Sequence, residues 1–185
     1  MQTALILIDI QNDYFDGGKN PLFNSIEASR NAATLLSKFR KTDQFRVFIQ
    51  HLSKDPNASF FVADSPGVEI HQSITPHANE IIIQKHFPNS FKETGLLEFL
   101  KKNNITKLVI CGMMTHMCVD ATVRAAKDFG FECSVIHNAC ATKDLEFDGS
   151  LVKAANVHHS FMAAFASYYS NVLSLEQFLN RNLNQ

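Results

Sequence analysis

Apolar positions along the chain fall into two rhythms that take turns. Ala4 to Ile10 reads Ala-Leu-Ile-Leu-Ile-Asp-Ile, the near-continuous run of a strand buried on both faces of a parallel sheet. Shorter runs at Val47–Ile49, Ile81–Ile83, Leu108–Cys111, Cys133–Ile136 and Asn171–Leu173 read as further strands. Between them the spacing turns helical. Ala28, Ala32, Leu35, Leu36 and Phe39 make one stripe ending near Arg40; Leu96, Leu97 and Leu100 make another ending at Asn103-Asn104; Val119, Thr122, Val123 and Ala126 make a third, from Cys118 to Gly130. Leu151 to about Ala166, with small and apolar residues on most faces, and Leu175 to Leu183 complete the set. Asn24 with Glu27 three residues on is capping-box-like, and Thr94 is placed to cap the second helix. Alternation of this kind predicts an α/β fold: a three-layer, doubly wound, mostly parallel six-stranded sheet, Rossmann-like, with helices on both faces. At 185 residues one core suffices, so residues 1–185 are expected to form a single domain.

Composition removes several classes of function. The formal net charge is −1 with acids and bases interspersed, so neither a nucleic acid nor a membrane surface is an expected partner. No apolar run approaches the length of a bilayer span. The N-terminus lacks a basic region and runs directly into the first strand, unlike a signal peptide. Cys111, Cys118, Cys133 and Cys140 lie in or just after apparent strands without CxxC or zinc-like spacing, as reduced thiols of a cytoplasmic protein do. The eight histidines show no HxxxH or HExxH spacing, and neither GxGxxG nor a Walker pattern occurs, so no metal and no cofactor is expected.

Ligands of such sheets bind beyond the carboxyl ends of the strands, where strand order reverses. Asp9 lies near the end of the first strand, Lys85 follows the third, and Cys118 follows the fourth. If the first and fourth strands are neighbours, all three side chains face one crevice. Each also has a plainer reading: an aspartate tying down a turn, a solvated lysine, a small apolar residue tucked under a turn. Asp9, however, needs a partner, because a lone carboxylate in a buried strand costs several kcal/mol. At the start of a helix, unpaired N–H groups and the helix dipole favour a thiolate at Cys118. Asp9 raises the thiol pKa, Lys85 lowers it, and together they can poise the group near neutrality. Attack on an amide or ureido carbonyl gives an oxyanion, for which the turn Gly112 to Met117 offers backbone N–H groups. Asp9, having gained the thiol proton, can act as acid towards the leaving amine and then as base towards the water that hydrolyses the thioester.

Leu7-Ile-Asp-Ile-Gln-Asn-Asp13, the Lys85 loop ending in Ser90-Phe91, and Cys111-Gly-Met-Met-Thr-His-Met-Cys-Val119 resemble the isochorismatase-like cysteine hydrolases, among them nicotinamidases and N-carbamoylsarcosine amidase. The resemblance spans nearly the whole chain. It implies Asp9, Lys85 and Cys118 as a catalytic triad, a cis Met113–Met114 peptide, an oxyanion hole from the backbone N–H groups of Met114 and Cys118, a small-molecule substrate and a homo-oligomer. Nicotinamidases carry an Asp-x-His metal motif where this chain has His51-Leu-Ser53, which argues against a metal. Isochorismatases proper commonly lack the nucleophilic cysteine, so Cys118 argues for a C–N bond. Glu69-Ile-His71 with the Lys85–Phe91 loop resembles the branch containing streptothricin hydrolase. The expected function is therefore metal-independent cleavage of an amide, ureido or lactam bond through a cysteine thioester. A metal-assisted nicotinamidase and a non-catalytic binding homologue are the alternatives. Phe15, His51, Phe60, Phe87, Phe91, Met114 and His116 are expected to line the substrate pocket, with the loop Leu52 to Gly67 as a lid, a subunit contact or a flap folded on its own core.

Overall fold

The computed structural model describes residues 2–55 and 57–181. Six strands, β1 (Gln2–Ile8), β2 (Phe45–His51), β3 (Ile81–Lys85), β4 (Ile105–Met113), β5 (Glu132–Ala141) and β8 (Asn171–Leu173), form a sheet in the order β3-β2-β1-β4-β5-β8. Every pairing in it is parallel. β1 and β4 are neighbours, with Ile8 opposite Gly112. The chain lays down β2 and β3 on one side of β1 and then returns to place β4 on the other, so strand order reverses between β1 and β4.

β1 reads as one apolar run because it is central: Ala4 to Ile8 are at most 1% exposed, as expected when both faces of a strand are covered. Helix α1 (Ser25–Lys41) buries Ala28, Ala32, Leu35, Leu36 and Phe39, the predicted stripe. Its start differs from a capping box: Asn24 is left-handed (φ 59°) and its side chain makes no capping bond. Helix α2 (Leu96–Lys102) begins one residue after Gly95, and the Thr94 hydroxyl accepts the Leu96 N–H at 3.3 Å. Helix α3 spans Asp120–Asp128, and a π-helical turn, Thr115–Val119, precedes it.

The stretch Leu151 to Ala166 departs from a single helix. Leu151 and Val152 belong to β7 (Ser150–Val152), which pairs antiparallel with β6 (Leu145–Phe147). Asp148 and Gly149 both have positive φ (49° and 70°), the backbone that a two-residue hairpin requires and that Asp-Gly supplies. Helix α4 follows as Ala154–Ala164, with a second π-helical turn at Phe165–Tyr169. The last helix, α5, covers Leu175–Arg181; the remainder of the expected Leu175–Leu183 helix lies outside the described residues. No helix among the described residues is long and apolar enough to cross a membrane.

Two polar anchors hold the sheet's outer edge. Glu80, immediately before β3, accepts from Arg40 Nε and Nη2 (2.9 and 2.6 Å), from Arg46 Nε (2.9 Å) and from the His77 N–H (2.9 Å). Asp13 ties the loop after β1 to the long loop after β2: its carboxylate accepts the Phe61 N–H at 2.7 Å and the Lys19 N–H at 3.1 Å.

Candidate active site

Three adjacent strand ends deliver three polar side chains to one point. β1 stops at Ile8, and Asp9 turns the chain in the left-handed region (φ 51°) with no exposed surface. β2 ends on His51 and β3 on Lys85, which pair in register. Lys85 is thus the last residue of its strand and wholly buried, not a residue beyond it. Its Nζ lies 2.7 Å from Asp9 Oδ2, 3.2 Å from His51 Nδ1, and 3.2 Å from each of the carbonyl oxygens of Phe87 and Pro88. Apart from this ion pair, neither Asp9 oxygen has a hydrogen-bond partner among the described residues.

Cys118 comes from the opposite side of the switch point. β4 runs through Gly112, where no side chain is possible: a Cβ would strike the Ile8 backbone, and φ is +134°. Gly112 therefore permits close approach of β4 to β1 and does not end the strand, which continues to Met113. The Met113–Met114 peptide is cis. In the π-helical turn that follows, the Val119 N–H reaches back to the Met114 carbonyl at 3.2 Å. Cys118 Sγ stands 3.7 Å from His51 Nδ1, which is itself 3.7 Å from Asp9 Oδ2.

Burial alone would push the Asp9 carboxyl up, but the Lys85 charge, with His51 contributing less, outweighs it and holds the group below its ordinary value. For Lys85 burial acts downward, yet Asp9 and then Cys118 carry it above the usual lysine range. The Cys118 thiol is pushed well up, first by burial and then by the Asp9 carboxylate, and Lys85 recovers only part of this. The resting site is therefore carboxylate, ammonium and thiol. This corrects the expectation of a thiol poised near neutrality, because burial, and then the Asp9 carboxylate, outweigh what Lys85 gives back.

Above the sulfur lies a pocket of about 450 Å3, within the range of small-molecule sites. Of the expected lining residues, His51, Phe60 and Met114 border it, together with Tyr14, Phe61, Pro88, Met117 and Cys118. Tyr14 keeps its proton: its pKa is raised first by burial and then by its neighbours Cys118, Asp9 and Asp13. Ser53, Asp55, Asn57 and Ser59 give the outer wall polar groups. The loop after β2 is folded onto its own core: Phe61 is buried and packs edge-on to Tyr14 at 4.7 Å.

Four expected lining residues stand elsewhere. Phe15 stacks on His71 at 3.6 Å and borders a neighbouring cavity. Phe91 is a core residue packed against Phe129 and Phe131. The Phe87 ring takes the Lys92 ammonium at 3.9 Å, and only its carbonyl serves the site. His116 turns away to Thr142, 2.6 Å from its Nδ1. Spacing could not separate these, since residues two apart on a loop need not share a direction.

Supporting residues went unassigned by sequence reasoning. Gln11, fully buried, clasps the His51 backbone, donating to its carbonyl at 2.9 Å and accepting its N–H at 2.7 Å. Ser90 and Thr122, both buried, join the Lys85 loop to α3 through contacts of 3.0 and 2.8 Å. A buried polar residue beside a strand end was the available signal for Gln11. Thr122 looked like a member of the apolar stripe.

Asp9, His51 and Cys118 also form a donor set whose atoms lie within 4.8 Å of one another. The residues do not fit a resident metal: the Lys85 ammonium already stands 2.7 Å from Asp9 and 3.2 Å from His51, and a second cation there would meet strong repulsion.

Residues 3–172 match the isochorismatase domain. The uncharacterized isochorismatase family protein YddQ of Bacillus subtilis is 48% identical, over 97% of this chain and 99% of that protein. A streptothricin hydrolase of Streptomyces noursei is 30% identical over 77% of this chain and 50% of its own length. A crystal structure from Oleispira antarctica superposes with a TM-score of 0.93 at 47% identity, covering 97% of this chain and 96% of that one. With its sheet order, its switch-point site and these relatives, the chain belongs to the isochorismatase family of hydrolases.

Proposed function

We propose that the protein is a cysteine hydrolase that cleaves a C–N bond of a small molecule, an amide, urea or lactam, through a thioester on Cys118. The observation that carries this reading is the convergence of three groups: a buried 2.7 Å Asp9–Lys85 ion pair and a Cys118 sulfur that lies within 4.8 Å of the Asp9 carboxylate and borders the pocket. The likeness to streptothricin hydrolase supports the bond class.

The thiol begins protonated, so its proton leaves during attack. Asp9, buried and without further partners, receives it as the sulfur pair bonds to the carbonyl carbon. Lys85 stays charged throughout and offsets whichever of Asp9 or Cys118 is anionic, a job that two backbone carbonyls fix in place. The backbone N–H groups of Met114 and Cys118 are the donors for the oxyanion, worth about 3 kcal/mol each where aligned. Collapse expels the amine, which takes its proton from Asp9. Ser53, Asp55, Asn57 and Ser59 then select among substrates, since they are the polar groups on the pocket's outer wall.

An ammonia-release screen over small amides, ureas and lactams, with Cys118→Ala as control, tests the reading. A substrate hydrolysed by the protein and not by Cys118→Ala is the expected result; undiminished hydrolysis by Cys118→Ala overturns it.

A further inference from the structure

The thioester must be cleared by water, and Asp9 is badly placed to activate it. Asp9 has no exposed surface and does not border the pocket from which water reaches an acyl group on Cys118. Among the side chains gathered around the sulfur, one titratable base faces both. His51 borders the pocket, and its Nδ1 is 3.7 Å from Sγ. We infer that His51 is the base of the second half-reaction, and that the site divides its proton transfers between Asp9 for acylation and His51 for deacylation. This rests on the thioester reading above.

The chemistry requires Nδ1 to be an acceptor. Lys85 has three N–H bonds, for which Asp9 Oδ2 at 2.7 Å and the Phe87 carbonyl, Pro88 carbonyl and His51 Nδ1, each at 3.2 Å, compete. Three oxygens are enough for three hydrogens, and the anionic one has the strongest claim. The Nδ1 lone pair is then open to a water above the acyl carbon. Sγ and Nδ1 are in direct contact at 3.7 Å, so once the sulfur is acylated and has no proton to share, Nδ1 is left beside the acyl group for a water drawn in from the pocket.

The step balances without further reagents. Water gives one proton to Nδ1 as its oxygen bonds to the acyl carbon, the C–S bond breaks, and the departing thiolate takes that proton back from the imidazolium. The product acid and the resting thiol are restored. The His51 ring is free to serve in this way because its position is set elsewhere: Gln11 grips its backbone on both sides, so replacing the ring leaves the strand end in place.

p-Nitrophenyl acetate separates the two halves, since acylation releases nitrophenolate and deacylation limits the following turnover. His51→Gln should keep a burst of about one equivalent, while the steady-state rate falls roughly a hundredfold and mass spectrometry finds acetyl-Cys118 accumulating. Asp9→Asn should instead lose the burst. Equal steady-state rates for wild type and His51→Gln, with no accumulated acetyl-enzyme, would overturn the role of His51 alone. If wild-type Cys118 is never acetylated, the thioester reading falls and takes this one with it. Circular dichroism on His51→Gln and His51→Ala checks that both variants fold.

Discussion

Replacing Asp9 by Asn keeps the shape of the site and removes the charge facing Lys85. The lysine is then a buried ammonium, with no exposed surface, held only by the Phe87 and Pro88 carbonyls and His51. It can stay charged at the cost of an unpaired buried ion, or release its proton. Release at pH 7 costs about 1.4 kcal/mol for each of the roughly 3.4 pH units below the ordinary lysine value, or about 4.6 kcal/mol, which caps the penalty. The remaining carbonyl partners reduce it, and a loss of about 3–4 kcal/mol is expected, as for other broken buried pairs. In urea, with a slope of about 2–3 kcal/mol/M, the midpoint should fall by about 1–2 M. The chain has no Trp, so far-UV circular dichroism is the probe. The sign with pH is also set. In the variant the folded lysine binds protons less tightly than the unfolded one, so relative stability should climb from pH 7 to 9, by up to about 1.4 kcal/mol per unit. A loss under about 1 kcal/mol with no such slope would refute the buried-pair account.

Lys85→Met should abolish turnover and slow alkylation of Cys118 by iodoacetamide at least tenfold, because the thiolate loses the positive charge that offsets it; equal alkylation rates would contradict this. Glu80 is pushed up by burial but pulled down further by Arg40, His77 and Arg46, to about 2 from 4.5. Its contribution is complete above the unfolded value and fades as pH falls through the folded one, so roughly 3 kcal/mol should vanish between pH 4.5 and 2. Urea midpoints of Glu80→Gln should show a correspondingly shallower acid loss, and an unchanged one would discount the arginine pair. Gly112→Ala forces a Cβ into the Ile8 backbone at a φ of +134° and should cost about 3 kcal/mol or more, seen as a lowered thermal midpoint; an unchanged midpoint would mean that β1 and β4 can separate freely.

Most of the sheet was legible because a central parallel strand cannot hide its composition. Residues 4–8 are apolar on both faces, and the helical stripe at Ala28 to Phe39 is buried as spaced. Edge and end effects were less visible. β5 extends beyond Ile136 to Ala141 because its pairing with β4, shifted in register after Val135, resumes at Cys140 and Ala141, which no run of apolar residues announces. The Asp148-Gly149 hairpin was masked by the apolar residues of β7, which run into α4 with no polar break before Lys153. In the site, strand ends predicted the meeting of Asp9, Lys85 and Cys118, since topology alone brings such positions together. Electrostatic balance was beyond reach: whether a thiol rests protonated depends on distances of a few ångströms and on burial. Pocket walls failed for the same reason, as side-chain direction on a loop has no period to read.

The Asp13 anchor has a consequence for redesign. The seven residues from Asp9 to Phe15 carry the acid, the Gln11 clasp on His51 and the carboxylate that pins Phe61, so the inner face of the cleft travels with the reactive centre as one unit. The polar residues Ser53, Asp55, Asn57 and Ser59 come to that unit from a separate loop. Exchanging them alone should change which small molecule the hydrolase accepts while leaving its chemistry running, much as a tool head is changed on an unaltered shaft.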